Sequence, residues 1–277
     1  MAEAIEPPFD RPDRAFNTLP GWTWVGTYGG YVLQADLLAD FEHGFFTRQW
    51  GGRGPEELAA AISAGVSVHR TRQIHSATVL GADRATCEPW PEADGLVSRG
   101  GGQSLWVCGA DCTPVLIADP ATGQVAACHA GWRGVAGRIV PAAILQLERQ
   151  GSRRQDLRVA LGPAISGPAY QVQADVAIQV GASLGAEAEA ARSGGEAAGA
   201  DPMEALRRAG GLLDDPKPER VRLDIRAATA CQLHHEGLSA TQISVCPLCT
   251  VAEPLLYHSW RRDQVKAVQW SGIVAQA

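Results

Sequence analysis

With 277 residues, 45% hydrophobic and 19% charged, the chain has an ordinary globular composition and enough length to bury a sizeable core without a disulfide or metal staple. A net charge of -6 excludes the overall basic signature of a nucleic-acid binder, although a local basic pocket stays compatible with it. No run of about 18 apolar residues is present to span a membrane, and seven cysteines at irregular spacing exclude a disulfide framework.

The first stretch, MAEAIEPPFDRPDRAF, is acidic and Pro-rich with no apolar run, unlike a secretory signal. The expectation is a reduced, cytoplasmic protein with a loose arm over residues 1–20 ahead of the folded remainder, 21–277. The alternation in WTWVGTYGGYVLQADLL predicts two strands turning at Gly29-Gly30. In FEHGFFTRQWGGRG, Arg48 lies between an apolar strand and a Gly turn, a place that suits an anion-binding loop as well as a surface charge. SVHRTRQIHSATVLGA alternates as a strand, with Gln73 and His75 on one face. ADGLVS predicts a short strand with Asp94 at its mouth.

Residues 105–138, LWVCGADCTPVLIADPATGQVAACHAGWRGVAGR, form the centre of the pattern. They predict a strand, a short Asp111-Cys112 turn, a second strand, a Pro-Ala-Thr-Gly turn, a third strand and a glycine-punctuated entry into a helix. In the third strand Val125, Ala127 and His129 share one face and Cys128 takes the other, which assigns Cys128 to the core. Val135, Ile139, Ala143 and Leu147 follow at helical spacing, and Pro141 predicts a kink or a restart. The glycines leave N–H groups for an anion at that helix start, after Gly134, with Arg133 beside it. Further on, LRVALGPAISGPAYQV predicts a strand and a Gly-Pro loop. Residues 181–220 read as a variable, mobile insertion with a short helix or two and no chemistry. LDIRAATACQLHHEG is a helix stopped at Gly237, with His234 and His235 on its outer face. ISVC is a strand, CPLC a loop, and VKAVQW the last strand.

Catalytic zinc takes three protein ligands and leaves one position open. Cys112 and His129 stand at strand ends, and His75 is a third candidate one strand upstream. Their separations form no local metal motif. Cys246 and Cys249 have knuckle spacing, but no second ligand pair lies nearby, so they are ordinary thiols, with Cys249 the nearer to a site.

RQIHSA, ADG, GADCTPVLIAD, AACHAGWRG, LGPAI and the closing CT and HSWRRD, in that order, resemble the laccase-domain, or polyphenol-oxidase, family from about Phe45 to Arg262. The resemblance implies an α+β fold, a single domain of mixed β-sheets between layers of helices. It implies zinc held by His75, Cys112 and His129, and a purine nucleoside phosphorylase that also deaminates adenosine. Arg48 matches the family's Thr-Arg-x-Gly-Gly segment, although Gln49 and Trp50 depart from it. Ser259, Arg261 and Arg262 match its terminal Ser-aromatic-Arg-Arg-Asp block. The chain is shorter than the family between the Gly-Gly turn and the Gln-x-His segment, and Ala169 and Gln171 flank Tyr170 in place of the usual residues.

On this basis the expected partners are phosphate and a purine nucleoside (adenosine, inosine or methylthioadenosine). Neither nucleic acid nor membrane is expected, and the state is a monomer or small homo-oligomer. Arg48, Arg133 and Arg261 supply bidentate anion contacts. Deamination at C6 of adenosine needs a proton carrier; zinc nucleobase deaminases use the Glu of an H-x-E. The one H-x-E of this chain, His234-His235-Glu236, closes the helix whose histidines face outward and has no P-C-x-x-C after it, which leaves Asp94 and Asp111 by placement. Three alternatives remain. Copper-dependent phenol oxidation matches the older family name, and copper can outcompete zinc in vitro, but a multicopper oxidase needs His-x-His pairs, absent among the seven histidines. A metal-free cysteine hydrolase would use Cys112 with His129 as base. A purine-sensing module would bind without turnover.

Overall fold

The alternation of side chains along Thr113–Ala118 shows why the chain builds layers: Val115 and Ile117 enter one apolar cluster, while Leu116 enters another on the opposite face. Every residue of that strand is buried, so it lies between two packed surfaces. Burial of a leucine such as Leu116 contributes roughly 1.5–3 kcal/mol.

The computed structural model describes residues 19–27, 29–184 and 201–276. In chain order its strands are β1 (Trp22–Thr27), β2 (Gly30–Ala35), β3 (His43–Phe46), β4 (Ser67–His69), β5 (Val79–Gly81), β6 (Gly95–Val97), β7 (Gln103–Gly109), β8 (Thr113–Ala118), β9 (Val125–Ala130), β10 (Arg158–Leu161), β11 (Gln171–Gln173), β12 (Leu212–Asp214), β13 (Arg220–Leu223), β14 (Ile243–Val245) and β15 (Gln269–Val274). The helices are α1 (Pro55–Ile62), α2 (Trp132–Ala136), α3 (Ile139–Glu148), α4 (Ala174–Ala182), α5 (Pro202–Arg208), α6 (Ile225–His235) and α7 (Trp260–Asp263).

Two six-stranded mixed sheets, ordered β1-β2-β3-β15-β7-β4 and β14-β10-β8-β9-β6-β5, are joined by a three-stranded antiparallel sheet, β11-β13-β12. Leu33, Phe45, Leu105, Val107, Leu96, Leu116 and Ala127 fill the core shared by the two large sheets. Helix α1 covers the first sheet through Leu58 and Ala59 against Phe46 and Trp106. Helices α3, α4 and α6 cover the second through Ile139, Ile144, Leu147, Val180 and Leu233 against Val115, Ile117 and Cys128. This is the expected architecture of mixed sheets between layers of helices. Cys128 is core, as the alternation predicts.

Several elements differ from expectation. The segment read as one strand through His75 is two short ones, β4 and β5, with an irregular stretch between them in which His75 adopts φ 60°. The last strand is β15, about four residues later than VKAVQW suggests, and the residues just before it form a loop. The helical break after α2 falls at Arg138 (φ 60°), so Pro141 occupies the first turn of a restarted helix, where a missing N–H costs little. Helix α2 begins at Trp132, ahead of Gly134. Within 181–220, residues 201–220 carry α5, capped by the Asp201 carboxylate on the Met203 N–H, and strand β12 of the third sheet. The rest of that insertion, 185–200, and nearly all of the N-terminal arm lie outside the described residues. No described helix is long and apolar enough to cross a membrane.

Candidate active site

Strand β7 belongs to the first large sheet and β8 to the second, so the chain between them turns a corner from one sheet to the other. Asp111 makes that corner with φ 95°, outside the comfortable range for a non-glycine residue. Its carboxylate holds the corner in place: one oxygen accepts from Thr250 Oγ1 at 2.6 Å and the other from the Arg261 backbone N–H at 2.7 Å. Cys112 follows directly. Strand β9 pairs with β8 so that His129 lies opposite Pro114, on the same face as Val125 and Ala127.

His75 comes from the irregular segment between β4 and β5, which is wrapped around Asp94. The fully buried Asp94 carboxylate accepts the N–H groups of Ile74, His75 and Ser76 at 3.2, 3.0 and 2.6 Å and the Ser76 hydroxyl at 2.8 Å. It also pairs with His129 Nδ1 at 2.9 Å, which directs the other ring nitrogen, Nε2, away from Asp94. The same segment is tied to β7 by Gln73, whose amide donates to Cys108 O at 2.7 Å and accepts from Cys108 N at 2.8 Å. As a result His75, Cys112 and His129 present donor atoms all within 4.8 Å of one another. The two imidazoles meet edge to face, with centroids 4.9 Å apart.

Electrostatics follow from burial and pairing. Burial pushes the Cys112 thiol up, but the charge of His129 and hydrogen bonds from His129 and His75 outweigh it and bring it down to about 6. For His129 burial pushes down, and the Cys112 charge with the Asp94 hydrogen bond lifts it to about 9. Burial also opposes ionisation of Asp94, yet His129 and Ser76 hold it at about 2. Cys108, half-buried beside the site, is pushed up to about 12 by desolvation and stays a thiol.

The three donors open into a cleft of about 600 Å³, within the range of small-molecule sites. Asp111, Trp132, Arg133, Tyr170, Trp260, Arg261 and the loop carrying Val265, Lys266 and Val268 contribute to its walls. Arg133 stacks over the Trp132 ring at 4.3 Å and Arg261 over Tyr170 at 5.0 Å. Three of the residues expected at the site sit elsewhere. Arg48 turns its Nη1 to Pro254 O at 2.6 Å, off the cleft wall. Ser259 is buried, its oxygen accepting from the Arg262 N–H at the start of α7. Arg262 is spent on the carbonyls of Thr250, Val251 and Tyr257 and on Asp263. Tyr170 and Lys266 are wall residues that no motif marked, and Trp132 and Trp260 lie within the HAGWRG and HSWRRD blocks without having been assigned to the site.

The family model described as multi-copper polyphenol oxidoreductase laccase matches residues 54–276. The chain belongs to this family. A purine nucleoside phosphorylase of Synechocystis sp. is 41% identical over 260 residues, covering 92% of this chain and 97% of that one. An adenosine deaminase of an unknown prokaryotic organism is 30% identical over 221 residues, covering 74% of each. Among solved structures, a Bacillus licheniformis hypothetical protein, YfiH, shares the fold at a TM-score of 0.72 and 23% identity, over 91% of this chain and 99% of that one.

The family is named for a metal, and the donor set passes a direct test of fit. A tetrahedral ion with bonds of about 2.0–2.3 Å separates its ligand atoms by roughly 3.3–3.8 Å, so three donors within 4.8 Å need only small movements to meet one ion. Gly131 leaves the room: a Cβ there would stand 2.9 Å from Cys112 Sγ and 3.4 Å from His75 Cδ2. Asp94 behind His129 is the carboxylate that a metal-binding imidazole commonly has as its outer partner.

The pairing predicts a proton count. At about pH 8, with no ion bound, Cys112 is mostly thiolate and His129 mostly imidazolium. A divalent ion requires thiolate and neutral imidazole. Uptake of zinc should therefore expel about one proton from His129, in addition to any lost by water on the ion, and the His129 share should disappear as pH rises through about 9. Calorimetry in buffers of different ionisation enthalpy reads this as a release that falls by about one proton between about pH 8 and pH 10; a release that stays constant over that interval would mean that His129 holds no proton before the ion binds.

Proposed function

We propose that the chain is a zinc-dependent purine nucleoside phosphorylase with adenosine deaminase activity, its ion held by His75, Cys112 and His129. The observation that carries this is the convergence of those three donors at the floor of a nucleoside-sized cleft. The names of the relatives, one a phosphorylase and one a deaminase, support it. Phosphorolysis converts a nucleoside and phosphate into the free base and ribose 1-phosphate; deamination converts adenosine and water into inosine and ammonia. Inosine and methylthioadenosine belong to the same substrate class.

A zinc ion held there supplies Lewis acidity and a nucleophile at neutral pH. The protein supplies orientation and proton handling. Asp94 has five donors on two oxygens, which fills a carboxylate's acceptor capacity of about four lone pairs. It positions His75 and His129 and carries no proton. Asp111 accepts only two hydrogen bonds and faces the cleft. Its carboxylate oxygens have lone pairs left to take the proton from water and pass it to the departing amine, the role that zinc nucleobase deaminases give to a Glu. The cations of the cleft wall, Arg133 and Arg261, serve phosphate recognition and the shape of the site.

Phenol oxidation by a multicopper centre is disfavoured by the ligand set. His75, Cys112 and His129 form the sole group of three or more potential metal ligands found among the described residues. The metal-free thiol reading has one observation in its favour, the ionised Cys112 beside a protonated His129. It leaves the aim of His75 at the same point without a purpose.

Two variants test the reading. Cys112→Ala should lose bound zinc, by elemental analysis, together with both ribose 1-phosphate and inosine in chromatography of adenosine incubated with phosphate. Turnover persisting in that variant would reject a metal-centred site, and zinc-free wild type with full turnover would favour the thiol. Asp111→Asn keeps a residue that tolerates positive φ and should retain zinc while deamination falls by roughly 10²–10⁴-fold. An unchanged deamination rate would remove Asp111 from proton transfer.

A further inference from the structure

Three cations line the cleft, and their existing partners sort them into two kinds. Arg261 is already committed: its backbone N–H goes to Asp111, its Nη1 donates to Gln171 O at 2.9 Å, and its guanidinium covers the Tyr170 ring. Arg133 and Lys266 have no carboxylate partner among the described residues. Arg138, Arg153, Arg154, Arg158 and Arg222 each pair with a carboxylate, a partner that Arg133 and Lys266 lack. Asp111, the carboxylate of the same wall, accepts from two neutral donors, the Thr250 hydroxyl and the Arg261 backbone N–H, and keeps its charge. Arg133, Arg261 and Lys266 thus stand against one carboxylate on the wall, a net positive charge that raises the local concentration of anions.

Lys266 is also placed with unusual economy. It is one of two lysines in the chain. It stands at the apex of a three-residue turn closed by Ala267 N to Val265 O at 2.9 Å. Its neighbours Val265 and Val268 are 58% and 43% exposed, and Trp260 on the same rim is 47% exposed. The four-carbon stem of Lys266 gives its exposed ammonium reach across the mouth.

We propose that Arg133 and Lys266 form the seat of the phosphate co-substrate at the mouth of the cleft, with Arg261 a positioning residue that backs the Tyr170 ring. The assignment rests on the phosphorolysis reading for the name of the anion. Its geometry stands on the two unpaired charges. Arg133, stacked on Trp132, offers a planar fork to two phosphate oxygens, and Lys266 closes on a third as a point charge.

The test is a calorimetric titration of inorganic phosphate into the zinc-loaded full chain, alongside phosphate KM in turnover. Lys266→Met should raise the phosphate Kd by about 10-fold or more, the scale of one charge-assisted contact. Lys266→Arg should recover it to within about threefold, and Arg133→Met should weaken binding by a similar factor. Lys217→Met, at the chain's other lysine and off the cleft wall, should bind as wild type does. In turnover the phosphate KM should rise in Lys266→Met out of proportion to the nucleoside KM. Equal phosphate affinity in wild type and Lys266→Met, or no binding by wild type, overturns the seat. Lys266-dependent phosphate binding by a wild type that forms no ribose 1-phosphate overturns the phosphorylase reading instead and leaves the anion seat standing.

Discussion

The carboxylate of Asp94 collects three consecutive backbone N–H groups, one hydroxyl and one imidazole in a position without solvent access. Burying a carboxylate costs several kcal/mol unless it is fully paired. Hydrogen bonds to a charged group return about 1.5–3 kcal/mol each, so five of them outweigh the penalty and also hold His75 in its left-handed conformation. One side chain thereby fixes two of the three donors: His75 through the backbone that carries it and His129 through its ring.

The third donor depends on a different constraint, the passage of the chain between sheets. Strands β7 and β8 are neighbours in sequence and lie in different sheets, so Cys112 stands at the corner where the two layers meet. Late elements complete the arrangement. Thr250 and the start of α7 bind Asp111, and the loop before β15 forms the outer rim of the cleft. The layered core packs beneath the floor, while the rim includes the exposed side chains of Trp260, Val265 and Val268. The floor of the cleft thus sits on buried layers and its rim on exposed loop residues.

Much of this was legible in the sequence because burial on both sides of a sheet writes itself as alternation. The β7-β8-β9 succession, the face shared by Val125, Ala127 and His129, the core position of Cys128 and the place of Asp94 before β6 all follow from period two and turn residues. The His75 segment was misread for a physical reason. Its alternation is that of a strand, but a carboxylate about twenty residues away in the chain captures its N–H groups, and no local pattern records such an interaction. Arg48, Ser259 and Arg262 were legible as matching residue types, yet residue type does not say whether a guanidinium faces a ligand or three carbonyls. Tyr170, Trp132 and Lys266 belong to the wall only through the way α2, the Gly-Pro loop and the pre-β15 loop meet in space. Tyr170 was visible as the aromatic between two departures from the family pattern; Lys266 carried no signal beyond being a rare residue type in this chain.

The dependence of the site on Asp94 can be measured most directly as zinc affinity, by competition with a chelating indicator, in Asp94→Asn and wild type of equal thermal stability. The account predicts that the variant still folds but binds zinc about 10–100-fold more weakly, the range seen when an outer-shell partner of a metal ligand is removed. Equal affinity in the two proteins would contradict it, because His75 and His129 would then be held in place by something other than this carboxylate.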